Sequence, residues 1–223
     1  MKGLLIKDFR LMKLQMGFFG LCLIFAVFIT FTGRQTSFPI GYLTFIGSLY
    51  AVSSLNYDSF DNGFAFLFTL PITRKEYVFE KYIFSILASA ASWLLAVSIA
   101  VAATLFNPRA SLAETLWTAA CVLPMIFLLI SVTLPFHLKF GSEKGRIAIL
   151  AVIGAFFAVI TAAASMAGKL ADHAENGPEL ERVLSPLSAS GPWLLILPMI
   201  LLSLVALVFS LRLSISILQK KEF

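Results

Sequence analysis

Residues 57–82 read Tyr57-Asp58-Ser59-Phe60-Asp61-Asn62-Gly63-Phe64-Ala65-Phe66-Leu67-Phe68-Thr69-Leu70-Pro71-Ile72-Thr73-Arg74-Lys75-Glu76-Tyr77-Val78-Phe79-Glu80-Lys81-Tyr82, and they carry seven charged side chains. On either side the charge disappears: Phe38–Asn56 and Ile83–Phe106 contain no Asp, Glu, Lys, Arg or His. An α-helix rises about 1.5 Å per residue, so a run of about 20 apolar residues crosses the roughly 30 Å hydrocarbon layer of a bilayer. The stretch is therefore a polar loop between two membrane spans. That makes the chain an all-α integral membrane protein.

Working outward, the same criterion finds six runs: 17–32, 38–56, 83–106, 115–136, 147–168 and 192–211. The composition agrees, with 59% of the 223 residues hydrophobic and only 13% charged, where soluble domains run near 25% charged. No small-x-small cleavage site follows the first run, so it reads as a retained span rather than a secretory signal. Cys22 and Cys121 both fall inside runs, where cysteine behaves as a small apolar side chain. The expected chain is one transmembrane domain with a loop at 57–82, a second at 137–146, and a longer segment at 169–191 on the opposite side.

Thirteen of the seventeen Lys and Arg residues lie on the side that holds both termini, and only Arg34, Arg109, Lys169 and Arg182 lie on the other. By the positive-inside rule both termini are cytoplasmic, as in a multi-pass protein of the bacterial cytoplasmic membrane. The net charge of +5 is thus a topological signal. It does not indicate nucleic-acid binding, because no aromatic-laced basic groove accompanies it.

Within residues 1–16, Leu5, Phe9, Met12 and Met16 share a helical face, which fits an amphipathic helix lying in the interface. An ordinary basic flank fits as well, since Ile6 and Leu14 fall off that face. In the 57–82 loop, Phe60, Phe64, Leu67 and Phe68 follow helical spacing, predicting a short apolar-faced helix from about Ser59 to Thr69 that starts at Asp58, Asp61 and Asn62 and is stopped by Pro71. Thr73 and Glu76 then form a Thr-x-x-Glu capping box, flanked by Ile72 and Tyr77 at staple positions, so a new helix starts there and runs into the third span. That span carries Ala88, Ser92, Ala96 and Ala100 at every fourth position, and the fifth carries Gly154, Ala158 and Ala162. Such stripes allow close packing in lipid, although alanine is also simply common in spans.

The absences narrow the chemistry. Proton relays inside membranes depend on ionisable residues, and none lies within the six runs, which argues against a proton-coupled carrier; sodium sites built only from backbone carbonyls stay open. His137 and His173 fall in loops on opposite faces, which argues against a shared hydrolytic or metal site; His137 reads as interfacial. The single Gly-Lys pair, Gly168-Lys169, is followed by Leu170, so the chain has no P-loop. Spans one to three do not resemble spans four to six, which disfavours an inverted-repeat carrier. Energy for any uphill transport must enter from a partner.

The loops Leu70-Pro71-Ile72-Thr73-Arg74-Lys75-Glu76-Tyr77-Val78-Phe79-Glu80-Lys81-Tyr82 and Leu134-Pro135-Phe136-His137-Leu138-Lys139-Phe140-Gly141-Ser142-Glu143-Lys144-Gly145-Arg146 resemble the cytosolic loops of the small permease subunits of type 2 ATP-binding-cassette (ABC) exporters. The opening Met-Lys-Gly-Leu-Leu-Ile-Lys-Asp-Phe-Arg and closing Ser-Ile-Leu-Gln-Lys-Lys-Glu-Phe are similar too. The resemblance implies a six-span half-transporter that dimerises with a second copy or a related permease and works with a separate cytosolic ABC ATPase. ATP and Mg would then sit on the partner, and this chain would bind no cofactor or metal. It further implies that Phe60, Asp61, Phe64 and Phe68 lie on or near a coupling helix, framed by Arg74, Glu76 and Lys81, and that Lys139, Glu143 and Arg146 make a second contact. Within the family the chain is similar to exporters of amphipathic peptides, such as phenol-soluble modulins and lantibiotics, for which Phe18, Phe25, Phe28 and Phe45 would line a substrate path. Outside the resemblance, a non-transport assembly or sensor subunit and a passive channel fit the same residues.

Overall fold

The computed structural model describes residues 2–32, 37–59, 63–67, 69, 71–107, 111–174 and 193–220. Among these, every regular element is a helix: α1 (Lys2–Leu14), α2 (Met16–Thr32), α3 (Phe38–Ser59), α4 (Gly63–Leu67), α5 (Arg74–Phe106), α6 (Leu112–Ala174) and α7 (Trp193–Lys220). Four segments are long and apolar enough to cross a membrane: Phe38–Asp58, Arg74–Phe106, Leu112–Gly141 and Ile196–Lys220. A fifth arises if α1 and α2, bent by 61° at their junction, count as one broken span. Between Gly141 and Ala174 most side chains lie outside the described residues, so the run at 147–168 is helical but little of its packing is described, and residues 175–192 lie outside the described residues altogether.

The molecule is arranged for lipid rather than water. Large apolar side chains such as Leu94, Phe106, Leu201, Val205 and Phe209 face outward, while Thr44, Ser48, Ser89, Ser92, Thr133 and Ser214 are buried. In hydrocarbon a hydroxyl is best hidden between helices and bonded to a carbonyl, because the surroundings supply no partner. Ser92 and Thr133 do this, donating to the carbonyls of Ala88 (2.9 Å) and Leu129 (2.8 Å) four residues back.

Helix α3 is the hub, packing on α5 and α6 and touching α1, α2 and α4, while α7 packs mainly on α6. The Ala88, Ser92, Ala96 and Ala100 stripe of α5 is buried throughout. It explains how near the two hub helices come: a Cβ added to Gly47 would sit 2.1 Å from Ser92 Oγ. Ala96 packs with Ala26 and Leu43, and Ala100 with Ile40 and Ala119, so α2, α3 and α6 all use this small-residue strip. In α5, Trp93 Nε1 also donates to the carbonyl of Ala119 in α6 at 2.9 Å.

One sequence expectation is corrected here and another refined. The 137–146 segment is not an extended loop; it is helical except at Gly141, whose φ of 77° and ψ of −176° break α6. His137 therefore sits on a helix, and it is buried among the bundle. The first sixteen residues do begin with a helix, and the expected face lies beside its most buried positions: Leu5 and Met12 pack on Ala51, Phe84 and Ala88 and the Phe9 ring stands edge-on to Phe84, while Leu4 and Asp8 are the buried pair and Met16, the first residue of α2, is exposed. The reason the inner side reaches round to Asp8 lies in what Asp8 binds.

Candidate functional site

The start of α5 organises one end of the bundle. Thr73 is an extended N-cap whose hydroxyl accepts from the Glu76 amide (3.2 Å), while Glu76 Oε2 accepts from the Thr73 amide (3.0 Å). This reciprocal pair satisfies helix-end donors that would otherwise be orphaned. It fixes the helical phase, so that Tyr77, Val78, Lys81 and Tyr82 all turn inward. Ile72, the preceding staple residue, packs against the core that contains Tyr77.

Lys81 is 0% exposed. Its ammonium pairs with Asp8 of α1 and lies 2.7 Å from Asp58 Oδ2 at the end of α3, with Ser54 Oγ at 3.2 Å. Lys7 bridges the same two acids, pairing with Asp58 and lying 3.4 Å from Asp8 Oδ1. Tyr77 OH donates to Asp58 Oδ2 at 2.9 Å, and the fully buried Glu80 approaches Lys81 to 3.9 Å. Three helices thus meet on two ammonium groups and three carboxyl groups. Since burying an unpaired charge costs far more than burying a matched one, each partner holds the others in place.

This cluster closes the 57–82 loop at its neck, because Asp58 and Lys81 sit at its two ends and are bonded to each other. Of the helix expected from Ser59 to Thr69, the described residues show α4 at Gly63–Leu67; Ser59 belongs to α3, Asp58 points into the cluster and does not begin a new helix, and residues 60–62 and 68 lie outside the described residues. Gly63 lets the chain turn back, since a Cβ there would meet the Asp58 carbonyl oxygen at 2.6 Å. From α4, Leu67 is buried in the main core and Phe64 stands edge-on to the Tyr77 ring, 5.7 Å between centroids. A continuous path therefore runs from α4 through Phe64, Tyr77, Asp58 and Lys81 to Asp8 of α1.

The same end is stitched to α7. Arg74 Nη1 donates to the carbonyls of Leu218 (2.8 Å) and Gln219 (3.0 Å), placing a cation where a helix C-terminus carries partial negative charge. One turn further in, Tyr82 OH lies 2.6 Å from Ser210 Oγ and 2.8 Å from Ser214 Oγ.

The expected site residues fall into distinct places. Phe64 packs on the cluster, Arg74 holds the end of α7, Glu76 completes the cap, and Lys81 is an internal anchor with no exposed surface to offer a partner. Phe60, Asp61 and Phe68 lie outside the described residues, as do the side chains of Glu143 and Arg146. Lys139 is exposed, its ammonium 5.2 Å from the centre of the Phe140 ring. Phe18, Phe25 and Phe28 face outward from α2, whereas Phe45 packs against the main core. Sequence reasoning passed over Asp8 as an anchor. Its signal was its isolation: it is the sole acid before Asp58, set in an otherwise basic helix.

A family model described as "ABC-2 family transporter protein" matches residues 3–219. Neither a curated protein nor a solved structure matches the chain.

Proposed function

The chain belongs to the ABC-2 family of transporter proteins, and from that premise we propose that it is the six-span permease subunit of an ATP-driven exporter, coupled through residues 57–82 to a separate cytosolic ATPase. ATP and Mg would be held by that partner, and this chain would supply the membrane pathway together with a second permease copy. The single observation that supports this reading best is the clasped neck of the loop, on which α4 is seated. A force applied to α4 would reach Tyr77 through Phe64, then Asp58 and Lys81, and so α3, α5 and α1 together. A loop without such a neck would absorb the same motion as its own flexing. The Lys and Arg asymmetry supports a cytosolic position for both termini, for residues 57–82 and for the helical 137–146 segment. The cargo we propose is an amphipathic peptide or another hydrophobic compound.

The test is reconstitution. The protein should copurify with an ATPase that carries a P-loop, and vesicles holding both should accumulate amphipathic peptide only when ATP is supplied. Failure to bind or stimulate any ATPase would return the chain to the class of assembly or sensor subunits. Conductance without ATP would mark a passive channel.

A further inference from the structure

At the same end of the bundle, α6 and α7 together line an open cavity of about 490 Å³. Its walls are carbon: Val132, Phe136 and Phe140 on α6 face Phe209, Leu213 and Ile217 on α7. Its volume lies in the range of sites that take a small amphiphile, roughly 300–1,000 Å³. The hydroxyls that border it are already engaged. Ser210 donates to the carbonyl of Ser131 and also meets Tyr82, so the interior asks nothing polar of an occupant. Among the described residues one charged side chain lines the cavity, Lys139, which stands three and seven residues beyond Phe136 and Val132 and so in line with them on the helix.

We propose that this groove binds one acyl chain of an anionic phospholipid, with the lipid phosphate paired to Lys139. The chain would lie along the aromatic and aliphatic walls, and the Lys139 ammonium, which stands over the Phe140 ring at 5.2 Å from its centre, would meet the headgroup at the membrane surface. Charge complementarity selects the headgroup: a basic side chain at the mouth of a gap between spanning helices attracts an anionic lipid over a zwitterionic one. The neighbouring face of α7, with Val205, Val208 and Phe209 exposed, continues the apolar surface on which the rest of the lipid would rest. This assignment does not depend on whether the chain couples to an ATPase.

Native mass spectrometry of the detergent-solubilised full chain tests it. Titration with phosphatidylglycerol and with phosphatidylcholine of the same acyl composition should show the first anionic lipid binding about fivefold more tightly, the share expected of a single lysine near a lipid phosphate. Lys139→Gln should remove that preference while leaving chain binding intact. Ala206→Trp and Leu213→Trp, which fill the groove at two levels, should each weaken the first binding of both lipids about tenfold, with melting temperatures reported alongside to exclude misfolding. Inorganic phosphate should not displace the lipid. Equal affinity for the two lipids, a preference retained by Lys139→Gln, or normal binding in both Trp variants would overturn the proposal. Displacement by phosphate alone would do so too, by pointing to a free-anion site.

Discussion

Replacing Lys81 by Met keeps the side chain's length and removes the ammonium that three helices share. At 2.7 Å from Asp58 Oδ2, and with an effective dielectric constant near 20, its attraction to that acid alone is about 6 kcal/mol. The paired contact with Asp8 adds a comparable amount, and the cost of desolvating each ion, several kcal/mol, offsets much of both. The net loss expected on breaking such a buried cluster is about 3–5 kcal/mol, since Asp8, Asp58 and Glu80 remain buried with only the partly exposed Lys7 to answer them. Equilibrium unfolding of the purified protein in mixed micelles would measure it. Adding Asp58→Asn to Lys81→Met should recover about 1–3 kcal/mol relative to the sum of the single changes, because Asn removes the stranded charge yet still accepts from Tyr77. A cost below about 1 kcal/mol for Lys81→Met, or strict additivity with both Asp58 and Asp8, would refute the cluster as the anchor of the loop.

Other expectations follow from the packing and the caps. Gly47→Ala should destabilise by about 1–3 kcal/mol through the clash with Ser92; adding Ser92→Gly should relieve it and Ser92→Ala should not, because Ser92 Cβ itself lies 2.5 Å from the new methyl, as thermal melts would show. Thr73→Ala removes the N-cap and should cost about 1 kcal/mol, visible as faster amide hydrogen exchange over residues 74–77. Tyr82→Phe gives up contacts to Ser210 and Ser214 and should cost about 1–3 kcal/mol; a double-mutant cycle with Ser214→Ala apportions the pair.

What was legible in the sequence was whatever local spacing decides. The Thr73 and Glu76 cap depends on residues three apart, and the structure forms it reciprocally. The Ala88 to Ala100 stripe depends on a four-residue repeat, and it is buried as that repeat requires. The site was harder to read, because its bonds join residues 51 and 73 positions apart. From sequence alone, a lysine beside a span reads as a solvated flank, and nothing in the neighbourhood of Lys81 announces that Asp8 will arrive from α1. The start of the docking helix was misread for a different reason: Asp58 and Ser59 look like a polar helix start, while in the fold they end α3, where Asp58 is drawn into the cluster by Lys7, Lys81 and Tyr77. His137 was misplaced because the sequence suggested a loop at Pro135, where α6 continues as helix as far as Gly141.

Gly141 decides how α6 is divided. An unbroken helix of 63 residues would be about 95 Å long, roughly three times the thickness of the hydrocarbon layer. A rod of that length cannot be housed in one membrane crossing. Among the described residues no neighbouring atom lies within 4 Å of where a Cβ would stand, so they leave space for one here. The requirement is torsional: its φ and ψ fall in a region that side-chain-bearing residues essentially do not enter. The partition of nearly a third of the chain into two separately oriented rods therefore rests on the missing side chain of one residue. An alanine there would favour restoring the straight helix, and the two halves would inherit one common axis.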